Sequence, residues 1–124
     1  MKMIVADDSR LIRGIIEKTA TAIGFEVFQA VNGKEALNLL ETNGEDINLV
    51  LLDWNMPMLN GIDVLRNMRA DDRFKEIPVL MVSTESEEDK IREALDAGAS
   101  GYLAKPFKPD KLTNAIQQVL RQQT

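Results

Sequence analysis

Short apolar segments alternate five times with amphipathic stretches, and this alternation constrains the fold more than any other feature of the sequence. Each apolar segment has the length of a strand, and each stretch after it has apolar residues at helical spacing. The predicted strands are residues 2–6, 25–29, 49–52, 79–82 and 102–104. The predicted helices are residues 9–23, 33–41, 61–69, 86–97 and 110–121. The sequence therefore predicts five successive βα units.

The composition of the strands indicates how they pair. Residues 49–52 and 79–82 are apolar without alternation, as is typical of parallel strands covered by helices on both faces. The Asn-Gly pairs at 32–33, 43–44 and 60–61 adjoin helical patterns, so we interpret them as caps and loops rather than hairpin turns. We expect an α/β fold, a doubly wound parallel sheet with helices on both faces.

The apolar stripes predict which helix faces are buried. In the first helix the stripe comprises Leu11, Ile12, Ile15, Ile16, Thr19 and Ile23. In the fourth helix the predicted inward residues are Ile91, Ala94 and Leu95. These residues should pack against the sheet.

Two missing residue types restrict the chemistry. Without Cys or His the chain has no disulfide, no thiolate or imidazole metal ligand and no imidazole base. A net charge of −5 disfavours nucleic-acid and anionic-membrane surfaces, which need clustered Lys and Arg. No apolar stretch approaches the ~20 residues of a membrane span, and no signal-peptide core is present. We expect one cytoplasmic, monomeric domain, residues 1–124, with Met1 as its natural start and no output domain after it.

Polar residues follow four of the five predicted strands, at the edge where open parallel sheets bind ligands. They are Asp7 and Asp8, Asp53, Ser83 and Thr84, and Lys105 with Pro106. Three carboxylates at one edge repel one another, and a hard cation such as Mg²⁺ relieves that repulsion. A phosphoryl group on Asp53 would find its charge balanced by the metal, the Lys105 ammonium and the Ser83 hydroxyl.

Each of these residues also has a purely structural interpretation when it is considered alone. Asp7 or Asp8 would suit the N-cap of the first helix, and Ser83 that of the fourth. Asp53 would be an ordinary loop carboxylate, and Lys105 a solvated surface charge. Capping does not explain why all of them follow strands of one sheet, so we favour a functional site.

Four segments together resemble the receiver domain of two-component response regulators, and the resemblance covers essentially the whole chain. They are Asp7-Asp8-Ser9, residues 51–57 with Asn60-Gly61, residues 78–83, and residues 98–107. The stand-alone chemotaxis members of the family are the most similar. The resemblance implies a flavodoxin-like (βα)5 sandwich with the strand order 2-1-3-4-5, which is the order known for those members.

The resemblance also implies a role for each site residue. Asp53 would accept a phosphoryl group from a histidine kinase. Mg²⁺ would be held by Asp7, Asp8, Asp53 and the backbone carbonyl of Asn55. The switch and phosphoryl contacts would be Ser83, Thr84, Tyr102 and Lys105, dephosphorylation would be tuned by Asn55 and Glu85, and the Lys105–Pro106 bond would be cis.

The implied function is signalling rather than enzyme catalysis, although such a protein promotes its own phosphorylation and autodephosphorylation. The fourth helix, fifth strand and fifth helix would form the surface that binds a target, such as a flagellar switch component. A phosphatase is a candidate further partner. The alternative within the family is a receiver domain separated from a DNA-binding or enzymatic output domain.

Three functions outside the family fit parts of the pattern. A flavodoxin-like electron carrier shares the fold, but Asp7 and Asp8 would repel its flavin phosphate. An aspartyl-nucleophile phosphatase needs an Asp two residues beyond the nucleophile, where this chain has Asn55. Residues 98–101 do not form the Gly-x-Ser-x-Gly elbow of serine hydrolases, and the chain has no His to activate a serine.

Overall fold

All five predicted strands and all five predicted helices form, and the strands pair into one parallel sheet. The strands are β1 (Lys2–Ala6), β2 (Glu26–Ala30), β3 (Ile47–Leu52), β4 (Val79–Ser83) and β5 (Gly101–Ala104). The helices are α1 (Arg10–Ala22), α2 (Gly33–Asn43), α3 (Gly61–Arg69), α4 (Glu88–Asp96) and α5 (Pro109–Arg121), with a 3-10 turn at Gly44–Asp46. The computed structural model describes residues 1–122, so residues 123–124 of the predicted domain lie outside the described residues.

The strand order is β2-β1-β3-β4-β5, and every neighbouring pair is parallel, which confirms the expected flavodoxin-like topology. Helices α1 and α5 cover one face of the sheet, and α2, α3 and α4 cover the other. The central strand β3 shows why its sequence does not alternate. Leu49 and Leu51 face α1 and α5, whereas Val50 and Leu52 face the other layer, and all four are fully buried.

The Asn-Gly pairs mark helix ends, as predicted. The Asn32 side chain accepts a hydrogen bond from the Glu35 N–H at 2.8 Å and caps α2. In the same way the Asn60 side chain accepts from the Asp63 N–H at 3.0 Å and caps α3. The remaining pair ends α2, with Gly44 at the C-cap. The Asn32 and Asn60 side chains thus each accept from a backbone N–H that has no partner within its helix.

The predicted inward faces of two helices are partly wrong. Leu95 of α4 is 47% exposed, and only Ala94 of that helix is fully buried. Leu11 of α1 is 73% exposed and Ile15 is 37% exposed. Both helices have wide apolar stripes, and their rotation about their own axes is decided by the layer they join. The pattern alone could not settle which edge of the stripe would face the sheet.

Several boundaries also differ from the prediction. Helix α4 begins at Glu88 instead of Ser86; the backbone of its N-cap, Glu87, is extended, and the Glu87 side chain makes no capping hydrogen bond. The residues between Ser83 and Glu88 form a loop. Within residues 1–122, no helix has the length and apolar character needed to cross a bilayer.

Candidate functional site

Three polar residues that sequence analysis singled out are buried at the carboxyl edge of the sheet. Asp7 directly follows β1, Asp53 directly follows β3, and Ser83 is the last residue of β4. Their exposed fractions are 1%, 7% and 0%. The three residues lie close together because the carboxyl ends of parallel strands are all at the same edge of the sheet.

The three carboxylates predicted to hold a metal ion do come together. Asp7, Asp8 and Asp53 each offer one oxygen, and these oxygens lie within 4.8 Å of one another. Asp7 and Asp53 are buried, whereas Asp8 is exposed. Carboxylate oxygens at this spacing are the hard donors that Mg²⁺ prefers, so the residues fit that ion.

Neither Asp7 nor Asp8 caps the first helix. The N-cap of α1 is Ser9, whose side chain accepts a hydrogen bond from the Ile12 N–H at 3.2 Å. Asp7 instead accepts a bond from the Ser9 N–H on its Oδ1 atom at 2.8 Å. The structural interpretation of the acidic pair as a cap is wrong, and both carboxylates are left facing the site.

Lys105 is an internal cation rather than a solvated surface charge. Its Nζ atom lies 2.6 Å from Asp7 Oδ2 and 3.3 Å from Asp53 Oδ2, and the side chain is 11% exposed. The Lys105 N–H donates to the Ser83 carbonyl at 2.9 Å, which fastens the end of β5 to the end of β4. The bond to Pro106 is cis. One ammonium therefore bridges two of the three carboxylates.

The charge at this edge is not balanced. Burial, and then the neighbouring carboxylate of Asp7, raise the pKa of Asp53 above its ordinary value. The Lys105 ammonium and the N–H of Asn55 lower that pKa without offsetting the other two effects. Three carboxylates against one ammonium leave excess negative charge in a partly dehydrated place, and a divalent cation would relieve it.

Glu85 connects the hydroxyl side of the site. Its N–H donates to Ser83 Oγ at 3.1 Å, and its carbonyl accepts a hydrogen bond from the Tyr102 hydroxyl. Its carboxylate accepts from Asn55 Nδ2 at 3.2 Å. Thr84, next to it, is exposed. Ser83 does not cap α4, whose N-cap is Glu87; the Ser83 hydroxyl instead contacts the Glu85 N–H and the Tyr102 hydroxyl.

Sequence reasoning missed two cations near the site. The buried guanidinium of Arg13 donates to the Asp7 carbonyl at 2.7 Å. Its signal was present, because Arg13 lies on the same face of α1 as the buried Ile16 and Ala20. The Lys90 ammonium lies 5.3 Å from the centroid of the Trp54 ring, and no sequence pattern pointed to that contact.

A comparison with protein families decides what kind of domain has this site. The model of the response regulator receiver domain matches residues 3–117. The chain belongs to the response regulator receiver family. CheY-like receivers are signalling proteins rather than conventional enzymes, and receiver domains bind Mg²⁺ through an acidic pocket. In this receiver, Asp7, Asp8 and Asp53 form a cluster able to hold such an ion.

Curated relatives of this receiver are chemotaxis proteins. Chemotaxis protein CheY1 of Helicobacter pylori is 43% identical over 121 residues, covering 97% of each chain. Chemotaxis protein CheY of Pseudomonas aeruginosa is 41% identical over 120 residues, covering 96% of this chain and 95% of the relative. The receiver is therefore CheY-like along nearly its full length.

Solved structures agree with this assignment. The chemotaxis protein CheY4 of Vibrio cholerae superposes with a TM-score of 0.88 at 34% identity, covering 96% of this chain and 98% of the other. CheY in the CheX-CheY-BeF3-Mg²⁺ complex of Borrelia burgdorferi superposes with a TM-score of 0.91 at 28% identity, covering 96% and 88%.

Proposed function

We propose that this receiver is a chemotaxis response regulator that accepts a phosphoryl group on Asp53 from a histidine kinase. The bond from phosphorus to the kinase imidazole nitrogen breaks, and a bond from phosphorus to an Asp53 carboxylate oxygen forms. The single observation that carries the proposal is the Lys105 ammonium, which lies against both Asp7 and Asp53 at the edge of the sheet.

Asp53 is the best acceptor of the three carboxylates. Both oxygens of Asp7 already have donors, the Ser9 N–H on Oδ1 and the Lys105 ammonium on Oδ2. Asp8 is exposed, so its phosphoryl group would lack the surrounding donors. Asp53 is buried between Lys105 and the N–H of Asn55, which are suited to hold phosphoryl oxygens as charge develops.

Asp7, Asp8, Asp53 and the Asn55 carbonyl would hold Mg²⁺. The ion, when bound, supplies positive charge against a phosphoryl oxygen. Lys105 supplies a second positive charge from its own side of the site. Together these charges offset the repulsion that an incoming dianion would meet from the carboxylates.

The switch would begin at Ser83. Its Oγ atom accepts from the Glu85 N–H and is within hydrogen-bond reach of the Tyr102 hydroxyl, and the Ser83 hydroxyl would turn to donate to a phosphoryl oxygen on Asp53. Any movement of this loop reaches Tyr102, whose hydroxyl donates to the Glu85 carbonyl. Thr84 lies in the same loop, and we infer that it contacts the phosphoryl group. We infer that the surface of α4, β5 and α5 changes with phosphorylation and binds the target.

Dephosphorylation would be tuned by Asn55 and Glu85. Their side chains are hydrogen-bonded to each other at 3.2 Å, and Asn55 is exposed beside the acceptor. This pair controls how water approaches the aspartyl phosphate. The receiver thus promotes both its own phosphorylation and the loss of its phosphoryl group.

The chemotaxis assignment rests on the relatives, which are chemotaxis proteins over nearly their whole length. On that basis the target is a protein such as a flagellar switch component, and a phosphatase is a further candidate partner; the Borrelia burgdorferi CheY forms a complex with a second protein, CheX. We propose that residues 1–124 act as one monomeric cytoplasmic domain. A second, DNA-binding or enzymatic domain in the same protein would replace the separate target.

Phosphorylation tests the acceptor directly. The protein is incubated with Mg²⁺ and a small acyl phosphate, and the intact mass is followed with time. Wild type should gain one phosphoryl group, and Asp53→Asn should gain none. Asp63→Asn is the matched control, because Asp63 is a carboxylate of α3 outside the acidic cluster. Full labelling of Asp53→Asn would overturn the assignment.

A chemical-shift map tests the switch. Amide spectra are recorded with and without beryllofluoride and Mg²⁺ as a stable phosphoryl mimic. Changes should reach Ile91, Tyr102 and Leu112, and Lys105→Ala should bind the mimic yet lose these distant changes. A response confined to the neighbours of Asp53 in wild type would contradict the proposed output surface.

A further inference from the structure

Arg13 is a buried cation without a carboxylate partner. Its side chain is 9% exposed, and its guanidinium donates to two neutral oxygens, the Asp7 carbonyl at 2.7 Å and Gln29 Oε1 at 2.8 Å. Across residues 1–122, no ion pair involves this guanidinium. A buried charge is costly unless its surroundings compensate it, so its retention at this place calls for an explanation.

The hydrogen bond from Arg13 holds the peptide that joins the two acidic residues. The Asp7 carbonyl belongs to the peptide unit that continues into Asp8, and that unit is planar. Fixing the carbonyl oxygen therefore fixes the nitrogen and Cα of Asp8. The side chain of Asp8 is exposed and makes no hydrogen bond within the described part of the chain, so little else orients it.

Arg13 is itself held from the outside. Gln29, at the end of β2, accepts from Arg13 Nε with its amide oxygen and donates with its amide nitrogen to Glu17 Oε2 at 3.1 Å. Glu17 lies one turn after Arg13 on α1. The amide thus has one orientation that satisfies both neighbours, and it locks the guanidinium fork against the Asp7 carbonyl.

We propose that Arg13 is a positioning residue for the metal site, setting the orientation of Asp8 relative to Asp7 and Asp53. The inference rests on the Mg²⁺ site of the proposed function. Mg²⁺ demands near-octahedral geometry, whereas Ca²⁺ tolerates irregular ligand arrangements. Loosening Asp8 should therefore weaken Mg²⁺ more than Ca²⁺, a signature that a general loss of stability would not produce.

The test compares Mg²⁺ and Ca²⁺ binding by calorimetry and by the fluorescence of Trp54, which adjoins Asp53. Arg13→Met should weaken Mg²⁺ binding at least about tenfold and Ca²⁺ binding less, in line with other residues that orient metal ligands. Arg13→Lys should fall between this variant and wild type, because an ammonium on a flexible stem can donate to the carbonyl but lacks the rigid fork with which Arg13 holds Gln29 and the carbonyl together. It also serves if Arg13→Met does not fold.

Arg69→Met is the matched control. Arg69 is a half-buried arginine that, like Arg13, donates to two neutral oxygens, the carbonyls of Gly98 at 3.0 Å and Ile77 at 2.8 Å, but it lies away from the acidic cluster. Its loss should lower the melting temperature and leave Mg²⁺ affinity unchanged. This separates a general structural effect from positioning.

Two results would overturn the inference while leaving the proposed function intact. Mg²⁺ binding that is unchanged in both Arg13 variants would mean that Asp8 needs no such support. Tighter Mg²⁺ binding in Arg13→Met would mean that the guanidinium acts only through its charge, by repelling the ion. If wild type does not bind Mg²⁺, or Asp8→Asn binds it equally well, the proposed metal site falls and the inference falls with it.

Discussion

Two clusters of charged residues lie at opposite ends of the sheet, and they differ in burial and in the balance of their charges. At the carboxyl edge, Asp7, Asp8 and Asp53 share the one ammonium of Lys105. The other cluster, centred on Arg73, joins the last turns of α2 to the segment leading into β4. There Arg73 forms a bidentate pair with Glu41, both distances being 2.8 Å, and contacts Asp71 at 2.7 Å.

The titration behaviour of the two clusters is opposite. Hydrogen bonds from Arg73 hold the pKa values of Glu41 and Asp71 below their ordinary range, and the two carboxylates raise the pKa of Arg73. Burial and Asp7 hold the pKa of Asp53 above its ordinary range. The carboxylates of the Arg73 cluster are paired with a guanidinium, whereas the buried cluster at the carboxyl edge retains excess negative charge.

The two clusters therefore differ in whether they can contribute free energy to the binding of a ligand. The Arg73 cluster has excellent geometry, but water screens it and its contribution to folding is small. The carboxyl-edge cluster is unfavourable by itself, because its excess charge is removed from water. A bound cation would remove that electrostatic penalty, so the carboxyl-edge cluster is the one that can favour ligand binding.

The largest effect is expected from replacing a glycine by alanine near each of the two clusters. A Cβ on Gly61 would overlap the carbonyl oxygen of Asp53, which is backbone and cannot move aside. A Cβ on Gly44, near the Arg73 cluster, would overlap the ring of Phe74, which is a side chain rather than backbone. We expect Gly61→Ala to lower the free energy of unfolding by about 3 kcal/mol and Gly44→Ala by clearly less. Urea denaturation measures both, and equal losses would contradict the argument.

The next largest effect concerns the metal. Asp8→Asn removes one of the three carboxylates proposed to hold Mg²⁺ and should weaken Mg²⁺ binding at least about tenfold, or ~1.4 kcal/mol. Glu41→Gln removes a carboxylate from the Arg73 cluster and should leave the affinity unchanged. Calorimetric titration of both variants decides the point. An effect of similar size in Glu41→Gln would mean that net charge, rather than the site, governs binding.

A smaller effect distinguishes the clusters by pH. Because the folded state raises the pKa of Asp53, that carboxylate destabilises the fold when ionised, and the penalty disappears as pH falls through the folded-state pKa towards about 3.9. Metal-free Asp53→Asn should therefore be more stable than wild type at neutral pH, and its advantage should shrink on acidification.

Glu41 and Asp71 have lowered pKa values, so their contribution has the opposite sign. It is present above their ordinary pKa values and is lost as pH falls through the lower values of the folded state. The free energies of unfolding of wild type, Asp53→Asn and Arg73→Met, measured with a chelator from neutral pH to about pH 2, test this contrast. A pH-independent advantage for Asp53→Asn would disprove it.

The smallest effect is expected at the Arg73 cluster itself. Arg73→Met removes four side-chain hydrogen bonds, two to Glu41 and two to Asp71, but these side chains are 30% to 58% exposed to water. The urea midpoint should fall only slightly at low ionic strength, and the difference should vanish in about 1 M salt. Mg²⁺ affinity should not change. A large, salt-independent loss of stability would show that the Arg73 cluster contributes more than its exposure suggests.

Much of the fold was predictable because local patterns specify local structure. The lack of alternation in residues 49–52 indicated a strand buried on both faces, and Asn32 and Asn60 indicated helix starts. The inward orientation of Leu95 was wrong, since a wide apolar stripe leaves the rotation of a helix undetermined. The strand order came from family resemblance, because pairing between distant strands has no local signature.

Sequence patterns alone indicate that Asp7, Asp53, Ser83 and Lys105 lie at the carboxyl ends of parallel strands and so share one edge of the sheet. The contacts between these side chains are visible only in the tertiary structure. Lys105 meets Asp7 across 98 positions of the chain. The guanidinium of Arg13 reaches the carbonyl of Asp7 because α1 turns that face inward. Periodicity indicates whether each segment is a helix or a strand, but side-chain contacts depend on how separate segments pack, which no single segment encodes.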